Sequence, residues 1–164
     1  IMRFLEVLQT LSQEGIDFII VGGVGARLHG STRLTQDLDI VPRLEAESWK
    51  KLINVISQLN TQPRIPESLE RIADVNNIRK WMVEKNMLAV SFRSPRADVE
   101  IDLLISESDR FDELFSRAST VNLDGQIFHV ASIDDLIDMK TKAGRDRDLY
   151  DIEILKAIKA HREP

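Results

Sequence analysis

Val21-Gly22-Gly23, then thirteen residues, then Asp37-Leu38-Asp39-Ile40 is the stretch on which the fold of this chain turns. The apolar run from Ile16 to Val21, broken only by Asp17, predicts a buried strand that ends in two glycines. With no Cβ at either glycine, another group can approach the backbone closely. Val24, Ala26 and Leu28 predict a short helix running to Gly30, whose first amides can point at a phosphate. Leu38 to Val41, closed by Pro42, predicts a second strand. Strand alternation puts Asp37 and Asp39 on one face, roughly 6.6–6.8 Å apart, with Leu38 and Ile40 turned to the core. Two carboxylates so close repel unless a cation lies between them. Hard divalent ions with oxygen ligands, above all magnesium, suit such a pair.

A third carboxylate is available in Asp98-Val99-Glu100-Ile101-Asp102-Leu103, which alternates strictly and so predicts a strand with its acids on one face. Beside the Asp37–Asp39 strand, one of these acids would complete a metal cluster. Asp102 is the choice, because the apolar run Leu103-Leu104-Ile105 anchors its end of the strand; Glu100 is the reserve. Such a site can hold two ions roughly 3.5–4 Å apart, one aiding the attacking oxygen and one the triphosphate.

Outward from this centre, helical periodicity covers residues 2 to 14, Leu44 to Leu59 and 109 to 118, while Leu69 to Glu84 reads as helical or mixed. Residues 60 to 66 hold two prolines and predict a loop. Met87 to Phe92 and Val99 to Ile105 predict strands across the Ser94-Pro95 turn, and Val121 to Val130 a hairpin around Asp124-Gly125. Ser132 with Asp135 predicts a capped helix start. A last helix, about 146 to 160, is expected to bury Leu149, Ile152, Leu155 and Ile158. The expectation is an α+β fold: one domain over residues 1–164, with a small mixed β-sheet flanked by helices.

The bulk numbers restrict function. No apolar run approaches the roughly 20 residues of a membrane span, and no export signal opens the chain. A cytoplasmic protein without membrane partners is expected. The absence of cysteine excludes disulfides, zinc thiolate sites and thiol catalysis. A net charge of −5 argues against indiscriminate nucleic-acid binding. One candidate basic patch runs through Arg79, Lys80, Lys85, Arg93 and Arg96, where a solvated helix and turn is the simpler reading.

The glycine–acid pattern resembles the signature of the nucleotidyltransferase (DNA polymerase β-like) superfamily: apolar-Gly-Gly/Ser, a spacer, then Asp-apolar-Asp/Glu-apolar. The wider string from Gly22-Gly23 through His29-Gly30, Arg33, Thr35 and Asp37-Leu38-Asp39 is similar to the AbiEii-type branch, which includes toxins of toxin–antitoxin systems. A second block, Leu136-Ile137, Lys140, Ala143, Arg145, Arg147-Asp148 and Asp151, resembles that branch's C-terminal motif. The resemblance implies a nucleotidyltransferase fold, a nucleoside triphosphate substrate, magnesium, and transfer of a nucleoside monophosphate with release of pyrophosphate. The acceptor could be RNA, a protein hydroxyl or a small molecule, and a cognate toxin or antitoxin is a further partner.

In that scheme Asp37, Asp39 and Asp102 bind metal, with Asp102 alternatively taking the acceptor's proton, and the amides after Gly22 and Gly23 cradle phosphate. Lys140 falls on the core-facing stripe with Ile133, Leu136 and Ile137, where a buried ammonium needs a partner; a triphosphate or an internal carboxylate would serve. Arg145 and Asp148 form either an ordinary ion pair or a phosphate contact with its orienting acid. Arg33 could reach phosphate or lie on the surface. Thr35 either supports the metal strand or favours β structure, and His29 reads as a helix-end residue. The rival class is a non-catalytic nucleotide- or protein-binding module; a magnesium-dependent hydrolase with the same acids is a third reading.

Overall fold

The computed structural model describes residues 2–96 and 99–162. Helix α1 (Met2–Gln13) leads into β1 (Phe18–Ile20), α2 (Gly22–Leu28), β2 (Asp37–Pro42), α3 (Ala46–Gln58), β3 (Gln62–Pro63), α4 (Leu69–Ala73) and α5 (Val75–Glu84). There follow β4 (Val90–Arg93), β5 (Glu100–Leu103), a 3-10 turn (Ile105–Arg110), α6 (Phe111–Arg117), β6 (Ser119–Leu123), β7 (Gln126–Val130), α7 (Ile133–Ala143) and α8 (Asp146–Arg162). The seven strands form one mixed sheet in the order β3-β4-β5-β2-β1-β7-β6. The α+β expectation holds, with helices on both faces.

Alternation along the central strands sorts side chains into two apolar layers. Leu38, Ile40, Ile101 and Leu103 join Phe4, Leu8, Trp49 and Ile53 from the helices of one face. Ile19, Val21 and Val41 join Leu114, Leu136 and Leu155 on the other. Asp37 and Asp39, one residue out of phase with Leu38 and Ile40, therefore share the face of α7 and α8. Position in the pleat, set by the apolar residues, aims the acids.

Two expectations are corrected and a third, the helical or mixed reading of Leu69 to Glu84, is resolved. Residues 60 to 66 are not all loop: Gln62–Pro63 adds an edge strand to β4, pairing Gln62 with Arg93 and Pro63 with Phe92. A proline is tolerated there because an edge strand can leave its missing N–H side unpaired. Leu69 to Glu84 is two helices, parted at Asp74, whose carboxylate accepts from the amide of Asn76 and caps the second. Leu149 is 64% exposed rather than buried. The inward stripe of α8 is Asp148, Asp151, Ile152 and Leu155, so two of its members are aspartates that an apolar count passes over. The β6–β7 hairpin turns at Asp124 (φ 52°) and Gly125 (φ 85°), both left-handed as a tight two-residue turn requires.

Trp49 is fully buried, and its indole N–H donates to the Ile72 carbonyl at 2.7 Å, joining α3 to α4. Trp49→Ala is expected to lower the unfolding free energy by about 3–5 kcal/mol in urea titration.

Candidate functional site

Parallel pairing of β2 with β5 sets Asp37 opposite Glu100 and Asp39 opposite Asp102. Both strands show the same half-buried/buried alternation, so the four acids emerge on one face. Asp98, expected to extend this row, lies outside the described residues. The reserve acid Glu100 is bound by Arg64 at 2.5 Å and by Arg93 at 3.2 Å. Asp102 instead has one oxygen, Oδ1, buried without a hydrogen-bond partner among the described residues. Its neighbour across β4 is Ser91, whose hydroxyl bonds the carboxylate.

The double glycine answers to these acids directly. Gly22 has φ +60°, and a Cβ there would lie 1.9 Å from Asp39 Oδ2. A Cβ on Gly23 would lie 2.5 Å from the Thr35 hydroxyl. The glycines thus vacate space for Asp39 and Thr35, a reason distinct from ligand approach. Thr35 Oγ1 also donates to the Asp37 carbonyl at 3.2 Å, tying the loop before β2 to the strand. The Gly23 amide is hydrogen-bonded to the Asp39 carboxylate.

Charge in the site is unbalanced on the acid side. Burial, then repulsion from Asp102 and Asp37, pushes the Asp39 carboxyl up to about 6, against the Gly23 amide and Lys140 that favour its ionised form. Burial also raises Asp102, opposed by the Ser91 hydroxyl and reinforced by Glu100 and Asp37.

Facing the acids, α7 and α8 carry a cationic group. Lys140 Nζ donates to Asp151 at 2.6 Å and lies 3.8 Å from Asp148. Arg33 binds the other oxygen of Asp151. Arg145 reaches Asp148 through its side chain at 2.8 Å and its own amide at 3.2 Å. Burial alone would raise both aspartates; hydrogen bonds from Arg145 at Asp148, and from Lys140 and Arg33 at Asp151, reverse this and hold them below the usual range. Lys140's partner is therefore the internal carboxylate. Asp151 was legible only as part of the C-terminal motif; nothing in its spacing showed that it joins Lys140 to Arg33. His29 ends α2 and is buried, its Nε2 2.8 Å from the Ala131 carbonyl and its Nδ1 3.1 Å from an Arg162 nitrogen. It stands apart from the acids as a helix-end residue.

Acids and cations line one cavity of about 940 Å³, together with Gly22, Gly23 and Thr35. The basic stretch from residue 79 does not line it; Arg79, Lys80, Lys85 and Arg93 are each paired with a carboxylate. No helix among the described residues is long and apolar enough to cross a membrane.

A mixed sheet with a double-glycine turn against paired acids on parallel strands is the architecture of a nucleotidyltransferase. Solved structures show the same fold. The chain is similar to the lincosamide antibiotic adenylyltransferase LnuA, crystallised with lincomycin bound, at 16% identity over 96% of each chain with a TM-score of 0.64. It is also similar to an antigenic nucleotidyltransferase-like protein from Paracoccidioides brasiliensis, at 17% identity over 93% of this chain and 71% of that one, with a TM-score of 0.57. No curated protein sequence matches it. Residues 3–164 match the family described as nucleotidyl transferase AbiEii toxin, type IV toxin–antitoxin system, and the chain belongs to that family.

Two outcomes follow from the crowded acids. An aspartate near 6 when folded, against its ordinary 3.8, costs stability as pH rises from about 4 through 6, because the unfolded chain ionises first. Metal-free Asp39→Asn is accordingly expected to exceed the parent in stability above about pH 7, by up to about 3 kcal/mol, and to lose that gain below about pH 4. Denaturant titration across this range tests it. Gly22→Ala must displace the Asp39 carboxylate and strain a left-handed backbone; a loss of about 1–3 kcal/mol is expected, read by thermal unfolding.

Proposed function

We propose that this chain is a magnesium-dependent nucleotidyltransferase, moving a nucleoside monophosphate from a nucleoside triphosphate to an acceptor hydroxyl within a toxin–antitoxin system. The observation that carries this reading is Asp39 set opposite Asp102, with the unpartnered Asp102 Oδ1 in the same cavity as the Lys140–Arg33–Arg145 group. An oxygen-only donor set of crowded carboxylates fits a hard divalent ion. Asp37, Asp39 and Asp102 would hold it. Among the described residues no three such side chains already form a closed metal cage, so an ion held here would need oxygens of the nucleotide beside those of the acids. The bound ion supplies positive charge to the triphosphate and acidifies the attacking hydroxyl.

The protein's own part is positioning and charge placement. The acceptor oxygen attacks the α-phosphorus, the bond from that phosphorus to the bridging oxygen breaks, and pyrophosphate departs. Where Asp102 does not hold an ion, its carboxylate takes the proton from the acceptor. Lys140, Arg33 and Arg145 stand against two carboxylates, Asp148 and Asp151, leaving one positive charge over for the departing pyrophosphate. Asp148 and Asp151 hold the cations in place. The Gly22 turn and Thr35 keep the phosphate end of the cavity open beside Asp39.

The competing reading, a non-catalytic binding module, draws on Lys140's engagement with an internal carboxylate. Incubation with each α-labelled nucleoside triphosphate, magnesium and cell extract separates the two. Labelled product and pyrophosphate are expected, and Asp39→Ala should lower the rate by about 10²–10³-fold or more while circular dichroism stays native. Unchanged turnover in Asp39→Ala would overturn the proposal.

A further inference from the structure

The catalytic cavity is polarised along its length. Every basic residue lining it comes from the loop before β2, from α7 and α8 or from the turn between those helices: Arg33, Lys140, Lys142, Arg145 and Arg147. Asp39 feels the charge of Lys140, and Arg145 that of Asp39, whereas the cation acting on Asp102 is Arg64. In nucleotidyl transfer the attacking and leaving oxygens lie roughly in line across phosphorus. Pyrophosphate leaving toward the cations places the incoming hydroxyl at the Asp102 end.

That end is built from residues leading into β4 and out of β5: Leu88, Ala89, Leu104, Ser106 and Glu107. Leu88, 60% exposed, lines this end together with Ala89 and Leu104 and gives it an apolar wall. None of these residues is basic. Arg110, next to Glu107, is engaged by Glu107 and Asp138, both at 3.0 Å. The neighbouring cations Arg64 and Arg93 are both bound to Glu100. Nucleic-acid binding draws its affinity from phosphates neutralised by lysine and arginine, and this end offers none free among the described residues, on a chain of net charge −5. The volume, about 940 Å³, lies at the upper end of small-molecule sites.

Resting on the transferase reading above, we propose that the acceptor is a small hydroxyl compound with an apolar, uncharged body, seated against Leu88, Ala89 and Leu104 beside Asp102. Its hydroxyl faces Asp102.

The test offers the protein magnesium, α-labelled nucleoside triphosphates and three separate fractions of a cell extract: small-molecule ultrafiltrate, RNA and protein. Label is expected in a product of the ultrafiltrate. Leu88→Ala should then raise KM for that fraction roughly tenfold or more, with affinity for a non-hydrolysable triphosphate unchanged by calorimetry. Label in RNA or protein overturns the acceptor assignment and leaves the transferase reading standing, as does a Leu88→Ala enzyme with unaltered KM. No label in any fraction, with wild type matching Asp39→Ala, overturns both.

Discussion

The in-register pairing of β2 with β5 is the constraint on which the rest depends. It sets Asp39 beside Asp102, with Asp37 one step along the same face. A slip of one residue would turn Leu38 and Ile40 into the cavity and the acids into the core, at prohibitive cost. The apolar partners Leu38, Ile40, Ile101 and Leu103, all fully buried, forbid that slip. Hydrophobic burial on one face thus enforces electrostatic crowding on the other.

Two opposite solutions to buried charge meet across the cavity. On the strands, carboxylates crowd together, and burial with mutual repulsion raises Asp39 and Asp102 above the usual carboxylate range. On α7 and α8, Asp148, only 1% exposed, and Asp151 are buried with Lys140, Arg33 and Arg145 as partners. A buried charge is tolerable when paired and hydrogen-bonded. Gly144, left-handed at the end of α7, turns the chain so that α8 can bring its acids back to Lys140. The cations are fixed by the fold itself.

How much of this was legible in the sequence depends on the range of the interactions. Strand alternation showed that Asp37 and Asp39 share a face, and the apolar anchor after Asp102 singled it out over Glu100, which the structure engages with two arginines. The AbiEii-type motifs gave the family. The stripe of α7 showed that Lys140 turns inward, but its partner lies eleven residues on, in another helix, and no local period encodes that contact. The same blindness hid Leu149's exposure, since α8 fills half its inward stripe with aspartates. The short β3 escaped because a two-residue edge strand has no period of its own.

The sheet order carries a consequence for how the protein is made. β1 is flanked by β2, its near neighbour in the chain, and by β7, met through the pairing of Ile20 with Val130. During synthesis the glycine turn and both acid-bearing strands leave the ribosome well before Lys140 and Asp151. Domains fold as units, and contacts between distant segments form late. A ribosome-bound chain would therefore carry the carboxylates without Lys140 and Asp151 until α8 had closed over the sheet.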